Sequence, residues 1–203
     1  MLTLYDNLSS GNGYKVRLLL KLLSIPFKHE IRDVYLGETR KADFLAINPV
    51  GRVPTVVFED GRVLTESNAI MHYFASGTPY LPVDPYPQAQ CLQWMFFEQY
   101  SHEPNIAVAR FWLHFEDGRT RYAEQLPEKW TKGHEALLVM ENHLADRAYF
   151  VASTYSIADI ALYAYTHVAD EGGFDLTQYP NIRAWLDRVS AQAGHIPITK
   201  ADF

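Results

Sequence analysis

Two short runs, Val53-Pro54 and Glu66-Ser67-Asn68, carry groups with which this chain could bind a small peptide. A proline at the first position of an apolar β-run removes a backbone donor only at the edge of the strand. If the Val53-Pro54 bond is cis, the kink leaves the N–H and C=O of Val53 unpaired by their own sheet. These two groups could then pair with the backbone of a bound peptide, as an added strand would.

The second run offers groups for the charged end of such a peptide. Ser67 at a helix N-terminus presents a hydroxyl and a backbone N–H to an anion. Glu66 can pair with an ammonium group. Taken singly, a proline before a strand and a serine before a helix are ordinary strand-starting and capping residues. Taken together and in this order, they predict a site for a small peptide with a carboxylate and an amine at one end.

Composition excludes several classes of function. The chain has 203 residues, of which 48% are apolar, enough for one large or two small domains. No run of eighteen apolar residues and no secretory signal is visible, so we expect a cytoplasmic protein without a membrane partner. Cys91 is the only cysteine, which precludes an intrachain disulfide and fits a reducing compartment. The scattered histidines predict no metal site.

Charge is distributed unevenly along the chain. The net charge is −6, yet residues 1–80 carry nine Lys and Arg against eight Asp and Glu. The acidic excess therefore lies in residues 81–203, which argues against a nucleic-acid partner. The more positive part contains the candidate anion site, which is the direction that electrostatic steering requires.

Strand and helix patterns alternate in residues 1–80. Apolar residues recur at Val16, Leu19, Leu20 and Leu23 with the spacing of an amphipathic helix that follows a turn at residues 9–13. Asp60-Gly61 predicts a hairpin turn. The expected elements are strands at 2–5, 27–34, 55–58 and 62–65, with further helices at 41–46 and 67–75.

A proline-rich linker at residues 81–87 separates this part from a helical remainder, residues 88–203. Helices are predicted at 88–115, with a kink or break at Pro104, and at 128–145, 157–168 and 181–191. Ser156 to Asp159 has the form of a capping box, although Asp stands where Glu or Gln is usual. Cys91 is interpreted as a buried small apolar residue.

Over essentially its whole length, the chain resembles a cytosolic glutathione transferase. The motifs that carry the resemblance are Leu4-Tyr5 with Ser9-Ser10-Gly11-Asn12, the run from Asn48-Pro49 to Val53-Pro54, residues 65–70, and residues 156–160. These motifs are similar to those of bacterial members of the family. Two types are possible: the serine type, which is theta/delta-like, or the related Asn/Thr type, which is nu-like. The resemblance implies a thioredoxin-like βαβ-α-ββ-α domain (residues 1–80), an all-helical domain (residues 88–203), a glutathione site between them and a homodimer.

The resemblance also implies roles for individual residues. Val53, next to Pro54, binds the cysteinyl backbone of glutathione, and Glu66 and Ser67, next to Asn68, hold its γ-glutamyl end. Arg40 is the first candidate for the glycyl carboxylate, Thr39 the second and Arg52 a weaker third. For the cationic side chains, an ordinary solvated surface charge is the competing interpretation.

The first turn decides the chemistry, and its spacing leaves three candidates open. Ser10 matches the serine of serine-type classes when counted forward from Tyr5, and Ser9 matches another such class. Asn12 matches the asparagine of the bacterial branch when counted backward from residues 13–15. A hydroxyl or amide donor, together with the N-terminal end of the first helix, would favour the glutathione thiolate. Helix capping is the alternative role for each of the three.

The resemblance predicts transfer of glutathione to a hydrophobic electrophile. The helical domain is expected to supply the walls of the electrophile pocket, with Tyr100, Glu103, Arg110, Phe111 and Tyr165 as candidates. Two other functions compete. A glutathione-dependent disulfide reductase or peroxidase is favoured if Asn12 faces the sulfur, and a non-catalytic binding protein could use the same fold.

Overall fold

Four strands form one mixed sheet in the first part of the chain. In a computed structural model that describes residues 1–201, the strands are β1 (Leu2–Asp6), β2 (Phe27–Ile31), β3 (Thr55–Val57) and β4 (Val63–Thr65). The spatial order is β2-β1-β3-β4. β1 pairs in parallel with β2, whereas β3 is antiparallel to both β1 and β4. The parallel pair requires a crossover connection and the antiparallel pair only a hairpin.

The helices of this part are α1 (Gly11–Leu22), α2 (Ala42–Leu45) and α3 (Ser67–Ala75), with a 3₁₀ turn at Glu38–Arg40. The predicted order βαβ-α-ββ-α is therefore confirmed. Side chains from the sheet and from α1 and α3 form the core, among them Leu4, Val16, Leu20, Val56 and Ile70. The predicted second strand, residues 27–34, is shorter than expected because the chain turns after Ile31.

The end of the described chain joins the first part and not the helical part. Residues cluster by contact into Met1–Ser76 with the segment from Ala193 onward, and Gly77–Gln192. This division differs from the predicted one, which assigned residues 88–203 to a single helical domain. The reason is hydrogen bonding to α1: Tyr14 Oη donates to the Ile196 carbonyl at 2.7 Å, and Arg17 Nη1 donates to the Ile198 carbonyl at 2.9 Å.

The second unit is helical, as predicted. Its helices are α4 (Pro85–Phe97), α5 (Glu103–Leu113), α6 (Gly118–Arg121), α7 (Leu126–His143), α8 (Ile157–Thr166) and α9 (Pro180–Ser190), with a 3₁₀ turn at Ala169–Gly172. A π-helical turn, Glu98–His102, lies between α4 and α5 and ends directly before Glu103-Pro104, close to the position where a kink or break was predicted. Among the described residues, no helix has the length and apolarity to cross a membrane.

Several helix boundaries in this unit differ from the predictions by a few residues, and two of the differences involve prolines. Asp84 caps α4 by accepting from Tyr86 N at 2.9 Å, so the last residues of the expected linker are helical. Prolines are tolerated there because a first-turn N–H has no helical partner in any case. The same rule places Pro180 inside α9.

The N-terminus of α8 is fixed by the predicted capping box, which is confirmed. Ser156 N and Ser156 Oγ both donate to Asp159 Oδ2 at 3.0 Å. The other oxygen, Oδ1, accepts from Phe150 N at 3.1 Å and Trp185 Nε1 at 3.0 Å. Asp159 is fully buried and α8 is buried along its whole length, so this carboxylate ties the central helix of the unit to its neighbours.

Candidate active site

Val53 lies in a turn whose shape is set by a buried asparagine. The Val53-Pro54 bond is cis, and the β-ladder begins only at Thr55. Asn48 Nδ2 donates to the Arg52 carbonyl at 2.8 Å and to Thr55 Oγ1 at 3.0 Å, while Asn48 Oδ1 accepts from Val50 N at 3.0 Å. Within residues 1–201, no hydrogen bond occupies the N–H or C=O of Val53. A peptide backbone could use both groups.

The predicted carboxylate binders differ in their surroundings. Arg40 is exposed, and its Nη1 donates to the Val50 carbonyl at 2.9 Å, which places the guanidinium at the turn before Val53. Gly51, with φ of 64°, allows this approach, because a Cβ there would crowd the Thr39 carbonyl and the Arg40 side chain. Thr39 is buried and Arg52 is exposed. Arg40 retains further N–H groups for an anion, since its side chain carries five.

Glu66 has an unusual backbone conformation for a residue with a side chain. Its φ is 68° and its ψ is 112°, and it immediately precedes α3. Such a conformation costs about 1–3 kcal/mol and is concentrated at functional sites. Glu66 is exposed, Ser67 is buried as the first residue of α3, and Asn68 is partly buried. The N-terminal end of α3 therefore presents a carboxylate beside first-turn N–H groups, which have no partner within the helix itself.

The turn before α1 and the first residues of α1 hold the three candidates for the thiol contact, in different hydrogen-bonding states. Ser9 Oγ donates to Asn7 Oδ1 at 2.7 Å. Ser10 is the N-cap of α1, and its Oγ accepts from Gly13 N at 3.3 Å. Asn12 Oδ1 accepts from Ser67 Oγ at 3.2 Å, so the start of α1 and the start of α3 are directly joined.

A buried ion pair lies beneath this turn. Asp6 and Arg17 are both 0% exposed, and Arg17 Nε lies 2.6 Å from Asp6 Oδ2. Arg17 Nη2 also donates to the Leu8 carbonyl at 2.7 Å, and His29 Nε2 lies 3.3 Å from Asp6 Oδ2. Burial lowers the pKa of the Arg17 guanidinium, and Asp6 opposes that shift.

Sequence reasoning missed both buried cations of α1, Lys15 and Arg17, which are each 0% exposed. Lysine and arginine in an amphipathic helix normally lie on its exposed side, because they are almost never fully buried unless they are paired. No sequence signal for their burial is present, since their partners come from Asp6 and Asn12 in the fold.

The predicted electrophile residues all lie in the helical unit and have varied surroundings. Glu103, Arg110 and Phe111 are on α5, Tyr165 is on α8, and Tyr100 is in the π-helical turn. Tyr100 is 88% exposed and Tyr165 only 7%. Arg110 Nε pairs with Glu171 Oε2 at 2.6 Å. A cavity of about 330 Å³ opens at the end of α5, lined by Leu113, His114, Phe115, Glu116, Arg119, Asp170, Glu171 and Gly173, and therefore by none of the five predicted residues.

The remaining chemistry of the described residues is limited. Cys91 is fully buried, as predicted, and burial raises the pKa of its thiol, which disfavours the reactive thiolate. In the part of the chain that the structure describes, no group of three or more His, Cys, Asp and Glu side chains is placed to hold a metal ion. The groups suited to binding are therefore backbone donors, carboxylates and hydroxyls around Val53, Ser67 and the start of α1.

Comparison with known proteins identifies relatives over the full length. The model described as "Glutathione S-transferase, N-terminal domain" matches residues 9–76, and "Glutathione S-transferase, C-terminal domain" matches residues 94–193. A crystal structure of glutathione S-transferase from Pseudomonas fluorescens superposes with a TM-score of 0.95 at 48% identity, covering 98% of this chain and 99% of that one.

A further relative and a further solved structure extend the comparison. Glutathione S-transferase 2 of Schizosaccharomyces pombe is 30% identical over 237 residues, covering 99% of this chain and 94% of the relative. The structure of Ure2p in complex with glutathione superposes with a TM-score of 0.85 at 25% identity, covering 95% of each chain. This chain spans only 55% to 63% of the length of the Ure2 proteins from Eremothecium gossypii, Candida glabrata and two Kluyveromyces species.

Proposed function

Because this chain belongs to the glutathione S-transferase family, we propose that it binds glutathione and activates its thiol for attack on a hydrophobic electrophile. The observation that carries the proposal is the join between Asn12 and Ser67. It brings together the N-terminal end of α3, which suits a γ-glutamyl group, and the N-terminal end of α1, which suits a thiolate.

Each part of the tripeptide has a proposed partner. The N–H and C=O of Val53 pair with the cysteinyl backbone, because no described residue occupies them. The first-turn N–H groups of α3 bind the γ-glutamyl carboxylate, and Glu66 binds the neighbouring ammonium. Arg40 binds the glycyl carboxylate from the turn that its hydrogen bond to Val50 already reaches.

Thiol activation requires a lowered pKa. A free thiol with a pKa near 8.5 is mostly protonated at neutral pH, and the thiolate is the nucleophile. The N-terminal end of α1 and a hydrogen-bond donor from Ser10 or Asn12 favour the anion. A drop of one to two units corresponds to about 1.4–2.7 kcal/mol, which two good donors supply. No protein nucleophile is required, since Ser10 acts only as a donor.

The rest of the proposal concerns partners and location. The electrophile binds the helical unit, with Glu103, Arg110 and Phe111 on α5, Tyr165 on α8 and Tyr100 as wall residues. The protein is a homodimer, as the family leads us to expect, and it is cytoplasmic, since a buried free Cys91 fits a reducing compartment.

Ultraviolet titration of bound glutathione tests the proposal directly. We expect isothermal calorimetry to register binding at millimolar glutathione. We also expect the pKa of the bound thiol to lie about one to two units below that of free glutathione, which is about the shift that two hydrogen-bond donors supply. Binding with an unshifted thiol would leave only the non-catalytic binding protein. No binding at all would remove the proposal.

A disulfide reductase or peroxidase is the second candidate. This function is favoured if Asn12, and not a serine, contacts the sulfur. The specific observation in its favour is that Asn12 Oδ1 accepts from both Ser67 Oγ and Lys15 Nζ, which leaves the amide Nδ2 as the end of Asn12 that can donate to a ligand. Reduction of a mixed disulfide between glutathione and a small thiol, without conjugation of model electrophiles, would select this function over glutathione transfer.

A further inference from the structure

Lys15 is an unusual residue in this unit because a lysine almost never lies fully inside a protein without a partner. Its side chain is 0% exposed, and its Nζ donates to Asn12 Oδ1 at 2.8 Å. The same oxygen accepts from Ser67 Oγ at 3.2 Å. Two donors from different parts of the chain therefore converge on one atom of the Asn12 side chain.

The two donors differ in how strictly they fix the amide. A serine hydroxyl can donate or accept, so Ser67 would satisfy either end of the Asn12 carboxamide. An ammonium has three donors and no acceptor, so Lys15 can face only the oxygen. A reversed amide would place N–H groups against an ammonium. Lys15 therefore determines which end of Asn12 is turned inward.

The Asn12 carboxamide is planar, so the orientation of Oδ1 also fixes the direction of Nδ2. Because Oδ1 is held by Lys15 and Ser67, Nδ2 is directed away from both. The other two candidates at this turn are engaged differently: Ser9 Oγ donates to Asn7, and Ser10 Oγ accepts from Gly13 N at the cap of α1. Asn12 is thus the candidate whose amide orientation is fixed by a buried charged donor.

We propose that Lys15 is a positioning residue that locks the Asn12 carboxamide so that its Nδ2 donates to the glutathione sulfur. The inference rests on the part of the proposed function that both candidate reactions share, the binding of glutathione and the activation of its thiol. Lys15 does not touch the substrate. It acts through Asn12, which is the residue that contacts the thiolate. The hydrogen bond from Ser67 to the same oxygen couples this orientation to the start of α3.

The first test replaces Lys15 by Met, which has a similar length and no donor. We expect the thiol of bound glutathione to titrate about one unit higher than in the wild type, the effect of losing one oriented donor. The dissociation constant of glutathione should stay within about twofold, because the contacts at Val53 and Glu66 are unchanged, and kcat should fall with KM little altered. Lys21→Met, an exposed change on the same helix, is the matched control and should leave the titration unchanged.

A double-mutant cycle separates positioning from a general effect on structure. Asn12→Ala should raise the titration midpoint by a similar amount, and adding Lys15→Met to it should produce no further shift, because Lys15 acts only through Asn12. Additive shifts, or an unchanged midpoint in Lys15→Met, would overturn the inference while the lowered midpoint of the wild type kept the proposed function intact. A wild type with no shift would remove both.

The crystal structure of the wild type with glutathione gives an answer that does not depend on any variant folding. The inference is supported if the sulfur lies within hydrogen-bond distance of Asn12 Nδ2 while Oδ1 still accepts from Lys15. A sulfur that contacts Ser10 Oγ or Ser9 Oγ instead overturns it.

Discussion

Asp6 and Arg17 form an ion pair with no exposed surface, 2.6 Å from Oδ2 to Nε, next to the turn that leads into α1 and carries Ser9 and Ser10. Arg17 also donates from Nη1 to the carbonyls of Ile198 and Lys200 and from Nη2 to that of Leu8. One guanidinium therefore connects the end of β1, the candidate catalytic turn and the segment from Ala193 onward. Hydrogen bonds from this one charged side chain therefore stabilise both the turn and the segment.

Replacing Arg17 by Met should destabilise the protein strongly. The substitution leaves the Asp6 carboxylate buried without its partner, and breaking a buried pair in this way costs about 3–5 kcal/mol. Urea unfolding measures the loss, with Arg183→Met on the exposed face of α9 as the control. Adding Asp6→Asn should restore part of the stability, because the uncompensated charge is removed. Equal stabilities of Arg17→Met and the control would contradict this account.

The segment from Ala193 onward has a second anchor in Tyr14. Its hydroxyl donates to the Ile196 carbonyl at 2.7 Å and lies 3.4 Å from His195 Nε2. Tyr14→Phe removes the hydrogen bond with little change of volume, so we expect a loss of about 1 kcal/mol. Hydrogen exchange should show faster opening of residues 193–200. Tyr86→Phe, 74% exposed on α4, should change neither quantity.

The order of elements could be predicted because it depends on local patterns. The hairpin follows from Asp60-Gly61, the capping box from Ser156 and Asp159, and the interruption before α5 from Pro104. The attachment of the last segment could not be predicted. It depends on carbonyls of residues 196–200 that meet Tyr14 and Arg17 only in the folded chain, and backbone acceptors carry no sequence signature.

The candidate site was predictable in part for the same reason. Val53, Glu66 and Ser67 are recognisable because proline, a helix cap and their spacing are visible in the sequence. The choice among Ser9, Ser10 and Asn12 was left open because it depends on which hydrogen bonds each side chain makes. Lys15 escaped notice because a lysine within the pattern of an amphipathic helix indicates solvent exposure, although here it is buried beside Asn12.

Glu66 should contribute to glutathione affinity through its charge. We expect Glu66→Gln to weaken binding roughly tenfold or more, since a hydrogen bond to a charged group is worth about 1.5–3 kcal/mol. The backbone conformation, with φ of 68°, is kept in this variant, so the stability of the free protein should change little. Calorimetry gives the affinity and urea unfolding the stability. Glu135→Gln, exposed on α7, is the control, and an affinity loss of equal size in both variants would argue against a contact with the ammonium.

Asp159 should make the stability of the helical unit depend on pH in a distinctive direction. Burial raises the pKa of its carboxyl from 3.8 to about 6, against the opposing effect of donors from Trp185, Phe150 and Ser156. From about pH 4 to about pH 6 the folded state keeps a proton that the unfolded state has released, so raising the pH through this range removes stability, in total about 3 kcal/mol.

The contribution is fully present at the acid end of that range and lost above the folded pKa, the reverse of a carboxylate in an exposed ion pair. Urea unfolding of the wild type and Asp159→Asn at several pH values isolates it, because all other groups titrate alike in both proteins. The asparagine cannot lose a proton, so the stability advantage of the wild type over the variant should shrink as the pH rises and become constant near neutrality. An advantage that grows with pH would mean that the four donors around Asp159 outweigh its burial and hold it ionised.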